Sequence, residues 1–197
     1  AADAEIPLVG VTLLYRKGYG RQHLDENGVQ TETYRDLDPE QHLQETGMDI
    51  SLPLDGGELW AKVWRADITG VTGHVVPVYF LDTFHPKNSE KHLDLGLTLY
   101  GGDDWVRIRQ EYLLGIGGLR LLEKLGMEVD GLHLNEGHCT FALLEMLGRG
   151  WSREQLAKRV LFTTHTPVPA GHDRFEWDAV EEVLGDLLPS DARQLVI

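Results

Sequence analysis

Two short apolar runs in the second half of the chain, "DGLHL" at 130–134 and "VLFTT" at 160–164, each lead into a segment that carries a histidine. Helical rhythm fills the space between them, near His138 to Leu147 and again after Ser152, where Gln155 three residues on completes a capping-box pattern. Strand, helices, strand, helix is the order of a parallel sheet with right-handed crossovers, because parallel neighbours need a long return connection. In such a sheet the carboxyl ends of both strands lie on one edge, where open α/β folds bind ligands. The order therefore predicts that Glu136, His138 and His165 face one cleft, although the two segments are about 30 residues apart.

The rest of the chain fits an α/β domain with a partly parallel sheet flanked by helices. "PLVGVTLLY", the strand Pro7 to Leu14, is almost continuously apolar, as expected when both faces are covered. Residues 16–49 are polar, with a turn signal at Asn27-Gly28, and predict a surface excursion. Two short strands around Asp55-Gly56-Gly57, then "HVVPVYFLDT", predict a small β-rich insertion over about 50–82, in which Pro77 confines its strand to an edge or a bulge. The longest helix runs from about Asp103 to Gly126, with Trp105, Ile108, Tyr112, Ile116 and Leu119 spaced by three and four. A last amphipathic helix is predicted over Trp177 to Leu188.

Each candidate site has a plainer reading beside it. "GIGGL" at 115–119 is not a dinucleotide loop, since the third glycine of that motif falls on Arg120 and the run lies inside a helical pattern; close packing against a neighbouring element is expected instead. "HLNEGH" at 133–138 is not H-E-x-x-H, and no metal is expected there. Its histidines could equally be caps or hydrogen-bonded core residues. Backbone N–H groups after Gly137 add donors at the same edge, and neutral donors beside a carboxylate suit sugar hydroxyls better than a bare phosphate. Gly101-Gly102 followed by Asp103 and Asp104 reads as a helix N-cap, or as a glycine-hinged loop that lines a pocket; nothing nearby completes six oxygens for a cation. "RKGYGRQ" at 16–22 is a local anion site or a solvated loop.

Composition narrows the classes. With 18 Lys and Arg against 32 Asp and Glu, the net charge of −14 repels polyanions, so nucleic acid and anionic membrane are not expected partners. No apolar run approaches the roughly 20 residues of a membrane span. The single cysteine, Cys139, forms no intramolecular disulfide, and a reducing, cytoplasmic compartment is expected. The opening "AADAEIPLVG" reads as the end of a helix running into a strand and the closing "DARQLVI" stops on apolar residues, so a fragment is expected.

Four segments in order, "YRKGYGRQ", "LYGGDD" with "RIRQEY", "LNEGH" and "TTHTPVPAGHDRF", resemble the α-glucan (glycogen and starch) phosphorylases over nearly the whole chain, and the shorter bacterial and archaeal branch in particular. The resemblance implies the later part of a Rossmann-like first domain of the GT-B arrangement, a single partial domain over 1–197 lacking its first strand-helix units. It implies transfer of a glucosyl unit from α-1,4-glucan or maltooligosaccharide ends to phosphate, giving glucose 1-phosphate, with pyridoxal phosphate as cofactor. By position it implies that His165 holds the transferred ring and is the residue closest to catalysis. Glu136 and His138 would line the sugar pocket, and Asp103 and Asp104 would belong to a mobile loop that gates it. Arg107, Gln110 and Glu111 would lie on a helix supporting that loop, and His172 would be structural. The loop is shorter here, and reads Asp-Asp where the family has Asp-Asn. The Schiff-base lysine and the phosphate-binding residues would belong to a C-terminal domain, since none of the six lysines stands in that motif. A homo-oligomer stays open, as do a nucleotide-sugar glucosyltransferase of the starch-synthase type and a non-catalytic carbohydrate-binding remnant.

Overall fold

Asp55 and Gly56 both adopt positive φ, +53° and +73°, in the computed structural model of the chain. That is the signature of a two-residue hairpin turn whose twist matches that of the strands it joins. It connects β4 (Gln44–Leu54) to β5 (Gly57–Thr69), far longer than the short strands expected around it. The structure describes residues 1–99, 101–168 and 172–188; Tyr100 of the "LYGGDD" segment, Pro169 of the turn after His165 and the closing "DARQLVI" lie outside them. These residues fall into two compact units, Ala1–Asp49 with Leu59–Gly102, and Ile50–Glu58 with Asp103–Ile197.

In the first unit β1 (Gly10–Leu13) runs parallel to β6 (Val75–Asp82), β6 is antiparallel to β5, and the sheet order is β1-β6-β5-β4. The β-rich section thus continues the sheet that β1 begins. On β5 the apolar residues Leu59, Ala61 and Val63 alternate and are buried, the period of a strand with one face on a core. β1 is only half-buried over Gly10–Thr12, less than its apolar run suggests, because it is the outermost strand of this sheet. β6 is an inner strand, yet Pro77 is accommodated: pairing with β1 begins at Val78, so at Pro77 the strand has one neighbour, β5. The polar excursion holds a small hairpin, β2 (Arg21–Leu24) with β3 (Gln30–Thr33), turned at Gly28 with φ +78°. Arg16 does not offer a free anion site, since its guanidinium is 2.6 Å from the fully buried Asp82 carboxylate. Asp82 also accepts from Trp64 Nε1 at 2.9 Å and Phe84 N at 3.0 Å. α1 (Glu90–Asp94) is capped by Ser89.

The second unit is helical around a pair of parallel strands. The expected long helix is continuous from α2 (Asp104–Tyr112) through a π-turn (Leu113–Gly117) to α3 (Gly118–Lys124). Asp103 caps its start by accepting from Val106 N at 3.1 Å, and Gly126 follows its end with φ +69°. Ile108, Tyr112, Ile116 and Leu119 are buried as their spacing requires. Gly115 packs as expected: a Cβ there would lie 2.7 Å from Ala142 N and 3.1 Å from Cys139 O, so the helix touches backbone. β7 (Leu132–Asn135) and β8 (Val160–Thr163) pair in parallel, joined through α4 (Phe141–Gly148) and α5 (Arg153–Arg159), the latter opened by the Ser152–Gln155 capping box. Leu119, Leu134, Ala142, Met146 and Leu156 form the core beneath them. α6 (Trp177–Leu184) ends four residues before the expected Leu188, at Gly185 with φ +45°. No helix among the described residues is long and apolar enough to cross a membrane.

Candidate functional site at the carboxyl ends of two parallel strands

Because β7 and β8 are parallel and in register, Asn135 opposite Thr163, both strands deliver their following residues to one edge. The ladder runs one step further, with Glu136 N donating to Thr163 O at 2.8 Å. There the chain turns sharply. Glu136 has φ +60° and ψ −173°, a region occupied almost only by glycine, and Gly137–Cys139 follows as a single 3₁₀ turn.

The turn aims the Glu136 carboxylate at the segment leaving β8. It accepts from the backbone N–H of His165 and of Thr166, the latter at 3.1 Å, and from the hydroxyls of Thr164 at 3.1 Å and Thr166 at 3.4 Å. Those bonds, the one from the His165 N–H foremost, hold its pKa below the usual carboxylate range, against a smaller upward push from burial. Glu136 is 7% exposed. The His165 ring is exposed, and its Nε2 lies 3.0 Å from Asn135 Oδ1. Beside it, His133 Nε2 and Thr163 Oγ1 are 2.7 Å apart.

His138 turns to different partners. Its Nδ1 lies 3.3 Å from Arg107 Nη2, 3.5 Å from Asp173 Oδ2 and 3.9 Å from Glu111 Oε1, and Arg107 also donates to Asp173. Arg107 and Glu111 are four residues apart on α2, hence on one face. Glu111 is 6% exposed and its Oε1 accepts no hydrogen bond. Burial pushes its carboxyl up to about 7, opposed by the nearby His138 and helped by Asp173. The Glu111 carboxylate in turn raises His138, against burial and the Arg107 charge. For Asp173 burial acts upward, but the Arg107 guanidinium and the other donors around it outweigh burial and hold the carboxyl low. Glu111, His138 and Asp173 place one ligand atom each within 4.8 Å of one another, a spacing a metal ion could use. The Arg107 guanidinium already supplies the positive charge to two of those three groups, so the set is built around a side-chain cation.

The structure thus joins Glu136 to His165 directly and places His138 two residues along, in a neighbouring cluster. Asp103 spends its carboxylate on the helix cap, and Asp103 and Asp104 are both exposed. Asp173 and the roles of Arg107 and Glu111 in the His138 cluster were not apparent in the sequence; the i, i+4 spacing of Arg107 and Glu111 beside buried Ile108 and Tyr112 is the signal that could have found them. Gln110 is buried on the same helix, and His172 is exposed. The site segments 103–111, 133–138 and 163–168, with 172 and 173, contain no lysine. A cofactor held as a Schiff base therefore has no attachment point among them.

No family model matches the chain. Curated proteins do. A maltodextrin phosphorylase of Thermococcus litoralis is 36% identical over 205 residues, covering 95% of this chain and 24% of that protein. A glycogen phosphorylase of Mycobacterium tuberculosis is 37% identical over 209 residues, 94% of this chain and 24% of that protein. A glycogen phosphorylase of Aquifex aeolicus is 32% identical over 203 residues, 92% of this chain and 28% of that protein. Along nearly all of its length the chain is therefore homologous to one segment of the glycogen and maltodextrin phosphorylases, and it spans about a quarter of the length of these relatives.

Proposed function

We propose that these residues form the glucosyl-binding side of a glucan phosphorylase, which transfers glucose from α-1,4-glucan ends to phosphate to give glucose 1-phosphate. The observation that carries the reading is the exposed His165 ring at the end of β8, held from the end of β7 by Asn135 and Glu136. An imidazole so held offers a sugar hydroxyl a directional partner, and a site that fixes its hydrogen-bonding groups before the substrate arrives stabilises the reacting geometry. In this reading the chain is the later part of a Rossmann-like GT-B domain in a cytoplasmic protein. Glu136 and His138 shape the sugar pocket, and the Asp103–Asp104 loop gates it. Pyridoxal phosphate belongs to the complete protein and rests on residues outside this chain. When bound it would supply proton relay at the attacking phosphate.

The test is made in the full-length protein. His165→Ala should lower turnover with maltooligosaccharide and phosphate by about tenfold or more, the scale of one lost hydrogen bond to a reacting group. Turnover within twofold of wild type rules the assignment out. Activity with a sugar nucleotide and none with phosphate identifies a glycosyltransferase of the starch-synthase type. Glucan binding without turnover of either donor identifies a binding remnant.

A further inference from the structure

Glu136 occupies a backbone conformation that a glycine adopts without strain, with Gly137 beside it in the sequence. A chain that needed only a turn would gain by placing glycine at 136. What the strained position keeps is a carboxylate whose two oxygens are spent on the backbone and hydroxyls of Thr164, His165 and Thr166, with the shared acceptor Oε1 reaching two successive N–H groups. Those contacts fix the backbone that carries His165 and leave the carboxylate little capacity for a ligand. Its neighbour Asn135 acts on the ring: Asn135 Oδ1 can only accept, so the 3.0 Å contact requires a proton on His165 Nε2. In the neutral imidazole the other nitrogen, Nδ1, then carries a lone pair and no proton.

We infer that Asn135 and Glu136 are positioning residues for His165, Glu136 by anchoring its backbone and Asn135 by holding the ring in the Nε2–H tautomer, so that Nδ1 meets an incoming hydroxyl as an acceptor. This rests on the proposal that His165 contacts the sugar, and it reassigns Glu136 from touching substrate to acting through His165. The same division explains why two adjacent residues at one strand end point polar groups at the same partner. Glu136 at the buried side sets where the ring starts, and Asn135 at the exposed side sets how it is turned.

The experiment compares wild type, Asn135→Leu, Asn135→Asp and Glu136→Gln in the full-length protein labelled with ¹⁵N-histidine, with the His165 signals identified by their loss in His165→Ala. Long-range proton–nitrogen correlation reads which ring nitrogen bears the proton, independently of activity. Wild type should show a protonated Nε2 and a bare Nδ1. Asn135→Leu, of nearly the same shape with no acceptor, should mix the two tautomers and raise KM for maltooligosaccharide about fivefold, whereas Asn135→Asp, which still accepts, should keep the Nε2 proton. Glu136→Gln presents an amide to two N–H groups and should broaden or split the His165 signals. Unchanged ring nitrogens in both Asn135→Leu and Glu136→Gln overturn the inference even if activity falls. Tautomer mixing with KM and turnover unaltered upholds the positioning role and refutes the contact between His165 and sugar, so the two readings fail separately.

Discussion

Replacing Glu111 by glutamine isolates the one carboxyl of the site that burial holds near neutrality. Its pKa is about 7 in the fold against 4.5 in the unfolded chain, so folding favours the protonated form. Below pH 4.5 both states hold the proton and the stabilisation is fully present. From 4.5 to about 7 the unfolded chain releases the proton while the folded one keeps it, and stability declines; above that it is level. A difference of about 2.5 in pKa corresponds to about 3 to 4 kcal/mol, or about two and a half decades in an equilibrium constant. His138 acts in the same direction at higher pH, because its pKa is raised chiefly by Glu111, and Asp173 acts below pH 4, outside this window. Glu111 and His138 therefore titrate as a coupled pair. Glu111→Gln keeps the shape and removes the titration. Hydrogen exchange of peptides covering α2 in the full-length protein, corrected for intrinsic rates, reads the local opening free energy at pH 5 and pH 8. Protection of the variant relative to wild type should rise by about a hundredfold between those pH values, whatever constant offset the amide introduces. A ratio that stays constant within about threefold rules out a buried, protonated Glu111 and places it in contact with water.

Arg109 is 2% exposed, reaches Asp55 through Nε at 3.1 Å and Nη2 at 2.6 Å, reaches Glu182 at 3.1 Å, and lies with its guanidinium carbon 3.8 Å from the Trp105 ring centroid. Arg109→Ala should cost on the order of 3 kcal/mol in thermal denaturation, and Arg109→Lys should recover little, since an ammonium cannot reproduce the fork or the stacking. The two glycines of the π-turn should separate. Gly115→Ala meets the Ala142 backbone nitrogen at 2.7 Å, which cannot yield, and should destabilise by about 1–3 kcal/mol. Gly117→Ala meets first the methyl ends of Ile50, Leu113 and Leu52 at 3.1–3.3 Å. These can shift, and a helix gain of about 1 kcal/mol offsets the crowding, so the variant should melt within a few degrees of wild type. Equal losses at both positions would show that the helix responds to volume alone.

The parts of the fold that announce themselves in the sequence are those in which a local rule and the core agree. Trp105, Ile108, Tyr112, Ile116 and Leu119 call for one helix, and one helix forms; Ser152 and Gln155 call for a capping box, and both of its bonds are made. The extra residue of the π-turn leaves that rhythm readable because Gly115 and Gly117 lie where the helix meets neighbouring atoms. What stayed hidden is strand without a core. β2 and β3 are exposed along their whole length, and β4 begins in exposed Gln44 and Glu45, so no alternation marks them. Backbone pairing holds those stretches, and every residue but proline can supply it.

The site divides along the same line. Two parallel strands must bring their carboxyl ends together, so the meeting of Glu136 with His165 follows from topology and is legible in the order of elements. Nothing in that order says that the carboxylate faces its neighbours instead of the cleft. That choice is made by the +60° φ of Glu136, a conformation that no rule of residue preference predicts for glutamate. Likewise His138 could be assigned to the edge but not to Arg107, Glu111 and Asp173, which reach it from α2 and from the segment before α6. Of the three residues expected to face one cleft, Glu136 is consumed by the backbone and His138 by a charged cluster. His165 alone combines an exposed ring with one ring nitrogen already committed to Asn135 Oδ1. In the proposed reading the remaining nitrogen is the group that His165 offers to a ligand, and Glu136 and Asn135 decide where it stands.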